Sequence, residues 1–517
     1  MNSLLENRPY IHVGSANDLK GFDRVIYRSF EILPGLLSWG TLIGTVVLSY
    51  FNPTLAAFCV IAFDLYWLLK TIYLSIHLYR NWKRMKYNIN LDWVKKLSSL
   101  KHDHIYHLIL LPFYKEGKEI IEGSVKAIIN NNYDKKKIIL VLASEEAAGE
   151  EAQKIALEVK EKYGDTFFNF LITKHPKGQE GELQGKGSNI SYASEQARLK
   201  VIDQNKIPYE DIIVSAMDID TVPYPQYFSC LTWYFLTTPN SNRASFQPVP
   251  LYHNNVWQTP MLSKVVASSD TFWQMIEQER PERLVTFSSH SVSFKSLYEI
   301  GYWQKNIVSE DSRIFWNLYL ANNGDYKVVP LSYPVSMDAN LSTGFFETLK
   351  NMYKQHRRWM WGSENIPYIL FNFLKDKKIS FSKKTRHIFV QLEGFWSLAT
   401  NPLIILFLGW FPLLLGGNKF NSTILSYNLP IVTRDLMILA MGGLIVLAAV
   451  SLSLMPKIPD DLNRNKTKFY LVVQWLLVPV TIVIFGSIPG LDAQTRLMFG
   501  KYMGYWVTPK SRSLNNK

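Results

Sequence analysis

An apolar run that ends in two aspartates stands near the middle of the sequence: Asp211-Ile212-Ile213-Val214-Ser215-Ala216-Met217-Asp218-Ile219-Asp220. Such a run is typical of a buried strand. Alternate residues of an extended segment share a face, so we expect Asp218 and Asp220 to point the same way. Two such carboxylates repel each other unless one is protonated or a cation lies between them. A Mg²⁺ ion that also binds substrate phosphates would satisfy both. An isolated Asp-x-Asp more often lies in a solvated loop or caps a helix, but a position at a strand end favours the metal site.

Three further apolar runs precede this stretch and predict additional buried strands, at residues 107–111, 137–142 and 167–172. The segments between and after them have helical character, near residues 117–131, 145–162 and 187–200. Strand and helix in alternation indicate βαβ units and a mostly parallel sheet. Ligands of such sheets bind at the carboxyl ends of the strands. We therefore look for functional residues at those ends.

Acidic residues stand at two other strand ends and at one predicted helix start. Glu116 follows the first strand, and Glu145 follows the second. Glu310 and Asp311 precede the apolar run 314–320, as at a helix N-terminus, where acids favour the first-turn amides. Capping alone would explain one of these two acids. Asp311 is a candidate general base if the fold brings it within reach of an acceptor hydroxyl.

The two ends of the chain are apolar, whereas the middle is polar. Residues 32–51 carry no charged side chain, and a second run to about residue 78 carries only Asp64 and Lys70. Both runs are predicted to span a bilayer as a hairpin. Basic residues between Arg80 and Lys96 follow, and the positive-inside tendency places the next segment in the cytoplasm.

The net charge of +13 over 517 residues lies largely beside the apolar segments. We therefore expect a lipid bilayer and an anionic substrate as partners, and no nucleic acid. The two cysteines, Cys59 and Cys230, have no metal-ligand spacing and predict no disulfide framework. The first 30 residues have neither the apolar core nor the cleavage site of a signal peptide.

A basic and aromatic stretch, residues 354–361, stands ahead of the C-terminal apolar runs. As a helix it places Gln355, Arg358 and Trp359 on one face, where an amide, a cation and an aromatic ring can meet one ligand. The alternative is an amphipathic helix that lies on an anionic membrane surface. The two interpretations do not exclude each other.

Apolar stretches at about 394–416, 435–455 and 469–489 lie near the C-terminus. Five spans in total place the basic tail on the outside, against the charge rule. Two explanations stay open. Either the region 387–417 contains an additional re-entrant or broken segment, with Pro402 as a candidate break, or the tail is an exception.

Four motifs stand in a fixed order between the predicted spans: Pro112-Phe113-Tyr114-Lys115-Glu116, Asp218-x-Asp220, Glu310-Asp311 and Gln355-x-x-Arg358-Trp359. This series resembles the membrane-embedded, processive family 2 glycosyltransferases, the group of the cellulose and hyaluronan synthases, over about residues 105–365. The resemblance implies an α/β GT-A-type domain inserted between transmembrane helices. It also implies inverting transfer of a sugar from a nucleotide-diphosphate donor.

Carried over by position, the resemblance implies chemical roles. Asp311 would deprotonate the acceptor hydroxyl, and Asp218 and Asp220 would bind the donor diphosphate together with Mg²⁺ or Mn²⁺. Trp359 would stack the acceptor sugar, beside Glu310. These roles agree with the residue types, because an inverting displacement needs a base on the acceptor and positive charge at the departing diphosphate.

The resemblance also implies a set of donor-binding residues: Glu116, Glu145, Lys186, Gln355 and Arg358. Arg358 suits bidentate contact with phosphate. Lys186 would face the donor, although a solvent-exposed lysine at a helix start explains it equally well. Glu145 stands where the family usually has an aspartate-rich sequence that holds the nucleotide base, and this departure leaves the nucleotide open, with UDP favoured by the resemblance.

These features predict the following domain organisation: a cytoplasmic N-terminal segment (1–30), a transmembrane hairpin (31–79), a basic linker (80–103), a cytoplasmic GT-A domain (104–343), interfacial helices with the Gln-x-x-Arg-Trp motif (344–390), a C-terminal transmembrane region of about three helices (391–490) and a basic tail (491–517).

The expected function is synthesis and translocation of a polysaccharide from nucleotide-sugar donors by a multi-pass enzyme of the plasma (inner) membrane. One alternative is the transfer of a single sugar to a polyprenyl-phosphate or glycolipid acceptor. A second alternative is a catalytically silent membrane scaffold, for which the altered sequence at Glu145 is the only support.

Overall fold

The computed structural model describes residues 8–507. Residues 1–7 of the predicted N-terminal segment and residues 508–517 of the predicted basic tail lie outside the described residues.

Eight strands of the described chain form one sheet: β1 (Tyr106–Phe113), β2 (Ile138–Glu145), β3 (Asn169–His175), β4 (Ile212–Ala216), β5 (Val222–Pro223), β6 (Ala244–Leu251), β7 (Ser291–Ser293) and β8 (Lys327–Ser336). Their order across the sheet is β3-β2-β1-β4-β7-β6-β8-β5. The first four neighbours in this order are parallel. β7 runs antiparallel to both β4 and β6, whereas β6 and β8 are parallel.

The longer helices are, in chain order, α1 (Gly21–Phe51), α2 (Pro53–Asn90), α3 (Lys118–Ile129), α4 (Glu150–Tyr163), α5 (Lys186–Ala197), α6 (Tyr227–Thr237), α7 (Met261–Gln278), α8 (Glu310–Ala321), α9 (Phe345–Met360), α10 (Asn365–Lys375), α11 (Phe381–Leu406), α12 (Ile424–Leu454), α13 (Arg464–Val473) and α14 (Ile488–Met498). The three helical stretches predicted between the first strands correspond to α3, α4 and α5.

Strand β1 shows why apolar runs form the centre of the sheet. Successive side chains of a strand point to opposite faces, and both faces are covered here. Leu108 and Leu110 join one apolar core, whereas Ile109 and Leu111 join the other. A strand buried on both sides needs an unbroken apolar run rather than an alternating pattern, which is why the sequence revealed it.

Five helices of the described chain are long and apolar enough to cross a membrane: α1, α2, α11, α12 and the composite segment Arg464–Met498 that contains α13 and α14. The predicted fold class, a mostly parallel α/β domain flanked by apolar helices, is confirmed. Pro402 does not end its helix, because α11 continues to Leu406. Short helical turns at 408–421 connect α11 to α12.

The composite segment Arg464–Met498 has both ends on the side of the catalytic domain. Helix α12 runs parallel to α2, since Gly443 lies against Thr71 and the Trp82 indole donates to Ser453 further along both helices. The end of α2 leads into the α/β domain, so the end of α12 lies on that side as well. At the other end of the segment, Arg28 near the start of α1 donates to the carbonyl of Leu497 at 2.8 Å.

Candidate active site

The two aspartates after β4 lie at the carboxyl edge of the sheet, as predicted. The Oδ1 atom of Asp218 accepts a hydrogen bond from Lys186 Nζ at 2.7 Å, and its Oδ2 atom accepts one from Ser288 Oγ at 2.8 Å. Asp220 is buried, and its Oδ2 atom accepts from the backbone N–H of Asp338 at 3.1 Å. The carboxylates are therefore held in place by neighbouring loops.

Lys186 joins the predicted metal site to the predicted base. Its Nζ lies 2.9 Å from each carboxylate oxygen of Asp311 and 2.7 Å from Asp218. The side chain is buried at the first residue of α5. Burial by itself lowers the pKa of Lys186, but the charges of Asp218, Asp311 and Glu310 outweigh it and raise that pKa well above its usual value. The lysine is therefore an ammonium ion, and the solvent-exposed alternative does not hold.

Glu310 and Asp311 form the first turn of α8, as predicted. A downstream residue fixes this turn, because the Glu364 carboxylate accepts from the backbone N–H and the hydroxyl of Ser309 at 2.9 and 2.6 Å. The Glu310 side chain is only 2% exposed, and its Oε2 atom has no hydrogen-bond partner among the described residues. Burial, followed by the charge of Asp311, raises the pKa of Glu310.

His290 is a buried neighbour of the base that the sequence did not reveal. Its Nδ1 atom lies 3.7 Å from Asp311 Oδ1 and 2.7 Å from the carbonyl oxygen of Phe287. The Trp303 indole N–H donates to its Nε2 atom at 3.3 Å, which assigns the ring proton to Nδ1. Burial lowers the pKa of His290, and the ring is therefore neutral. His290 lies on a loop about 20 residues before Asp311 in the sequence, so no local motif predicted their contact.

We call Asp218, Asp220, Glu310 and Asp311 the acidic cluster. The predicted face of Gln355, Arg358 and Trp359 lies on α9, close to this cluster. The charges of Tyr505, Glu310, Asp218 and Asp311 offset the effect of burial on Arg358 and raise its pKa. Gln355 accepts a hydrogen bond from the Asn340 amide at 3.2 Å.

Gln355 and Trp359 also line a small cavity, together with Tyr252, Asp270, Asp338 and His356. Its volume of about 20 Å³ is enough for one water molecule. A sugar ring therefore does not fit inside this cavity.

Tyr505, from the segment after α14, covers the start of α5. Its ring packs against Gly185, where a Cβ atom would lie only 2.5 Å from the tyrosine ring. The Arg358 guanidinium lies 5.2 Å from the centre of the same ring. The sequence analysis recognised only the basic character of this segment, and the contact joins residues 320 positions apart in the chain.

Two predicted donor-binding residues lie at strand ends without a described hydrogen bond to the acidic cluster. Glu116 accepts from the backbone N–H of Tyr114 at 2.7 Å within its own loop. Glu145 is buried at the end of β2, opposite His175 of β3. Burial raises the pKa of Glu145, and neighbouring Gln184 and His175 partly offset this rise. Their roles toward a donor stay predictions.

Two carboxylates at the end of β4 are the candidate protein ligands for Mg²⁺ or Mn²⁺. Within residues 8–507 no group of three or more His, Cys, Asp or Glu side chains is arranged to hold a metal ion. Mg²⁺ commonly binds proteins through only one or two carboxylates and takes its other ligands from phosphate and water. Asp218 and Asp220 supply such hard oxygen donors at one strand end. The residues therefore fit a metal that binds together with a diphosphate.

Comparison with known proteins places this site in a family. Residues 213–453 match the model of the glycosyl transferase family group 2. This segment contains the Asp218 and Asp220 pair, Asp311 and the whole of α9. No curated protein matches the sequence.

Several solved glycosyltransferase structures are similar at low sequence identity. The mannosyltransferase PcManGT from Pyrobaculum calidifontis, in complex with GDP-Man and Mn²⁺, is 13% identical, with a TM-score of 0.41 over 76% of this chain and 99% of its own. TarS from S. aureus in complex with UDP-GlcNAc is 13% identical, with a TM-score of 0.37 over 68% and 91%. GalNAc-T7 with UDP, GalNAc and Mn²⁺ is 12% identical, with a TM-score of 0.34 over 57% and 59%.

The predicted GT-A-type family 2 enzyme is thus confirmed, whereas its processive type stays a prediction. The alternative of a catalytically silent scaffold is not retained. Residues 213–453 therefore contain a family 2 glycosyltransferase domain, in a chain whose α/β domain is set between apolar helices of membrane-spanning length.

Proposed function

We propose that this glycosyltransferase extends a polysaccharide at the cytoplasmic face of the plasma membrane and passes the product through its own helices. The donor would be a nucleotide-diphospho-sugar, with UDP as the preferred nucleotide. The observation that carries the proposal is the single lysine that contacts both Asp218 and Asp311. This contact supports the proposal, because the acid that we assign to the donor and the acid that we assign as the base share one cation.

Asp311 would act as the general base of an inverting displacement. Its carboxylate takes the proton of the acceptor hydroxyl while that oxygen attacks the anomeric carbon of the donor sugar. The bond from the anomeric carbon to the diphosphate oxygen breaks, and the electron pair leaves with the nucleoside diphosphate. A positioned base of this kind typically accelerates a reaction ~10²–10⁴-fold.

The departing diphosphate would meet positive charge from two directions. Arg358 lies on the acidic cluster's α9 side, and Lys186 lies on its α5 side. Mg²⁺ or Mn²⁺ held by Asp218 and Asp220 would add further positive charge at the diphosphate when bound. Preorganised charges in a site that excludes water stabilise a developing anion more strongly than water does.

The acceptor would bind on the side of α9. Trp359 offers an apolar ring face to a sugar, and Gln355 offers an amide for a sugar hydroxyl. Glu310, which burial holds toward its neutral form, would donate a hydrogen bond rather than repel Asp311. The family match and the flanking apolar helices support a membrane acceptor, and a polymer suits a site placed directly beside those helices.

The test is a screen of UDP- and GDP-sugars with the detergent-purified full chain and Mn²⁺, in which nucleoside diphosphate release and product mass are measured. We expect release with one donor and a product ladder spaced by one sugar mass. A single-sugar product that forms only with added polyprenyl phosphate or glycolipid would replace polymer synthesis with the one-step alternative. Omission of the metal should lower release, and the Asp311→Asn variant serves as the inactive control.

A further inference from the structure

A groove of about 680 Å³ lies between α2 and α12, away from the acidic cluster. Its lining is mostly apolar and includes Ile72, Ile76, Leu439 and Val446. Ile72, Ile76 and Leu439 are about half exposed or more, so the groove opens sideways toward the surrounding bilayer. A long apolar chain fits such a groove better than a compact polar solute.

Two adjacent glycines of α12 create the groove. At Gly443 a Cβ atom would lie 2.7 Å from the methyl carbon of Thr71, so the two helices are in close contact at this point. At Gly442 a Cβ atom would meet no heavy atom within 4 Å. The first glycine therefore brings the helices together, and the second leaves open space beside the contact.

Two cations stand at one end of the groove. Arg80 and Lys83 belong to its lining and follow Ile76 on the same face of α2, at helical spacings of four and three. Within the described residues neither makes an ion pair, whereas Arg84 on the same helix pairs with Glu279 at 3.3 Å. The Lys83 ammonium lies 4.9 Å from the centre of the Tyr79 ring, which directs it back toward the groove.

This charged end lies on the side of the catalytic domain, because α2 continues from Arg80 toward that domain. No acidic residue lines the groove. Basic pockets between transmembrane helices on the cytoplasmic side attract anionic lipid headgroups, and the anionic lipids of a cell membrane concentrate in that leaflet. The groove is apolar along its length and has two cations, without ion pairs among the described residues, at its interfacial end. It therefore suits a molecule with an apolar chain and an anionic headgroup.

We propose that this groove is a binding site for an anionic phospholipid of the bilayer. The phosphate would lie between Arg80 and Lys83, and one acyl chain would lie in the space beside Gly442. Such a lipid would bridge α2 and α12. The proposal is independent of which sugar the enzyme transfers.

The test uses native mass spectrometry of the full-length protein in detergent, with phosphatidylglycerol or phosphatidylcholine added at equal concentration. The trimethylammonium group of phosphatidylcholine offsets the charge of its phosphate, so two cations at the headgroup should favour the net-anionic phosphatidylglycerol by roughly 30-fold. The double variant Arg80→Gln/Lys83→Gln should abolish this preference. The double variant Lys457→Gln/Lys466→Gln, which removes the same charge from exposed residues outside the groove, should retain it.

A third variant, Gly442→Leu, tests the place of the acyl chain. It fills open space, so the protein should fold and yet bind less of the anionic lipid. Equal binding of both lipids by the natural protein, or equal losses in the two double variants, would overturn the proposal. Displacement of phosphatidylglycerol by a much smaller amount of polyprenyl phosphate would overturn the assignment to a bilayer phospholipid.

Discussion

Lys186 is the residue on which the geometry of the reaction centre depends. Among the described residues, its ammonium group contacts both Asp218 and Asp311, and its side chain is only 7% exposed. The sequence left its role open between a donor contact and a solvated helix start. Local sequence cannot distinguish these, because the two aspartates lie 32 and 125 positions away. The roles of Asp218 and Asp311, in contrast, were predicted from short sequence motifs, which need no knowledge of contacts between distant residues.

We predict that Lys186→Met lowers the free energy of unfolding by ~1–3 kcal/mol, because it removes the buried ammonium that donates to two partly buried carboxylates. Thermal unfolding of the detergent-solubilised protein measures this loss. Lys118→Met is the matched control, since its ion pair with Glu158 is exposed and should contribute only ~0–1 kcal/mol. Equal losses in both variants would contradict the prediction.

A second residue-scale prediction concerns the pH dependence of stability at Glu310. Its pKa in the folded protein is raised above the unfolded value of about 4.3. A group with a raised folded pKa stabilises the fold below its unfolded pKa and loses that contribution as the pH rises. Glu310→Gln should therefore gain stability relative to the natural protein as the pH increases from about 4.3 toward neutrality.

Unfolding midpoints of the two proteins between pH 5 and pH 8 check this prediction, with Glu161→Gln on the exposed face of α4 as the control. The control should follow the natural protein at every pH. A Glu310→Gln variant whose stability difference stays constant with pH, or falls, would show that the carboxyl group is not held toward its neutral form.

At the scale of elements, a charge network ties the catalytic domain to two apolar helices. Glu393 of α11 accepts from Lys70 of α2 at 2.7 Å and from Arg283 at 3.0 Å. Arg283 belongs to the loop between α7 and β7, which also carries Ser288 and His290 to the reaction centre. Charged side chains that lie among apolar helices usually pair with one another. The network therefore holds one wall of the site against the membrane region.

We predict that Glu393→Gln lowers the free energy of unfolding by ~3–5 kcal/mol, since it leaves Lys70 and Arg283 without their shared carboxylate. Glycosyl transfer should also fall, because the loop carrying Ser288 loses its anchor. Asp435→Asn provides the control, because it makes the same type of change in a pair that is 59% exposed or more on each side. A variant at Glu393 that unfolds like this control would rule out an anchoring role.

The elements differ in how well the sequence predicted them. Strands β1, β2 and β4 are continuous apolar runs because both faces of the sheet are covered, and each was predicted from its sequence. The apolar run 167–172 also predicted β3, although this edge strand continues to His175 through the exposed Lys174. Strand β7 has only the three residues Ser291–Ser293, too few for a pattern. Its antiparallel pairing with β4 and β6 depends on tertiary contacts. The position of Asp218 was nevertheless predicted, because the expectation that ligands bind at the carboxyl ends of parallel strands requires only the order of strand and loop.

At the scale of the whole molecule, the path of the last apolar segment bears on the number of membrane crossings. Arg464–Met498 begins and ends on the side of the catalytic domain, so we expect four of the five helices of membrane-spanning length, α1, α2, α11 and α12, to cross the bilayer. The five spans counted from the sequence stay a prediction, because hydropathy and length do not show where a segment ends in space. The predicted region of a broken segment, residues 387–417, contains the end of α11 at Leu406 and the short helical turns that follow, and the composite segment has further 3₁₀ and π turns at 474–477 and 483–487.

This topology predicts which residues face each side of the membrane. In sealed vesicles, with Cys59→Ala as the background, a cysteine at Gly504 should react with an impermeant thiol reagent on the same side as one at Asp325. A cysteine at Ser422, in the connection between α11 and α12, should react from the opposite side. Labelling of position 504 together with position 422 would contradict the four-crossing arrangement.

We propose that Asp311 is the base of a glycosyl transfer whose donor binds beside it. The most direct measurement compares nucleoside diphosphate release and nucleotide affinity in the natural protein, in Asp311→Asn and in Asp325→Asn. Asp325 is an exposed acid of the same domain, paired with Arg243. We expect Asp311→Asn to release the diphosphate ~10²–10⁴-fold more slowly with unchanged nucleotide affinity, and Asp325→Asn to match the natural protein. Natural rates in Asp311→Asn would contradict the account.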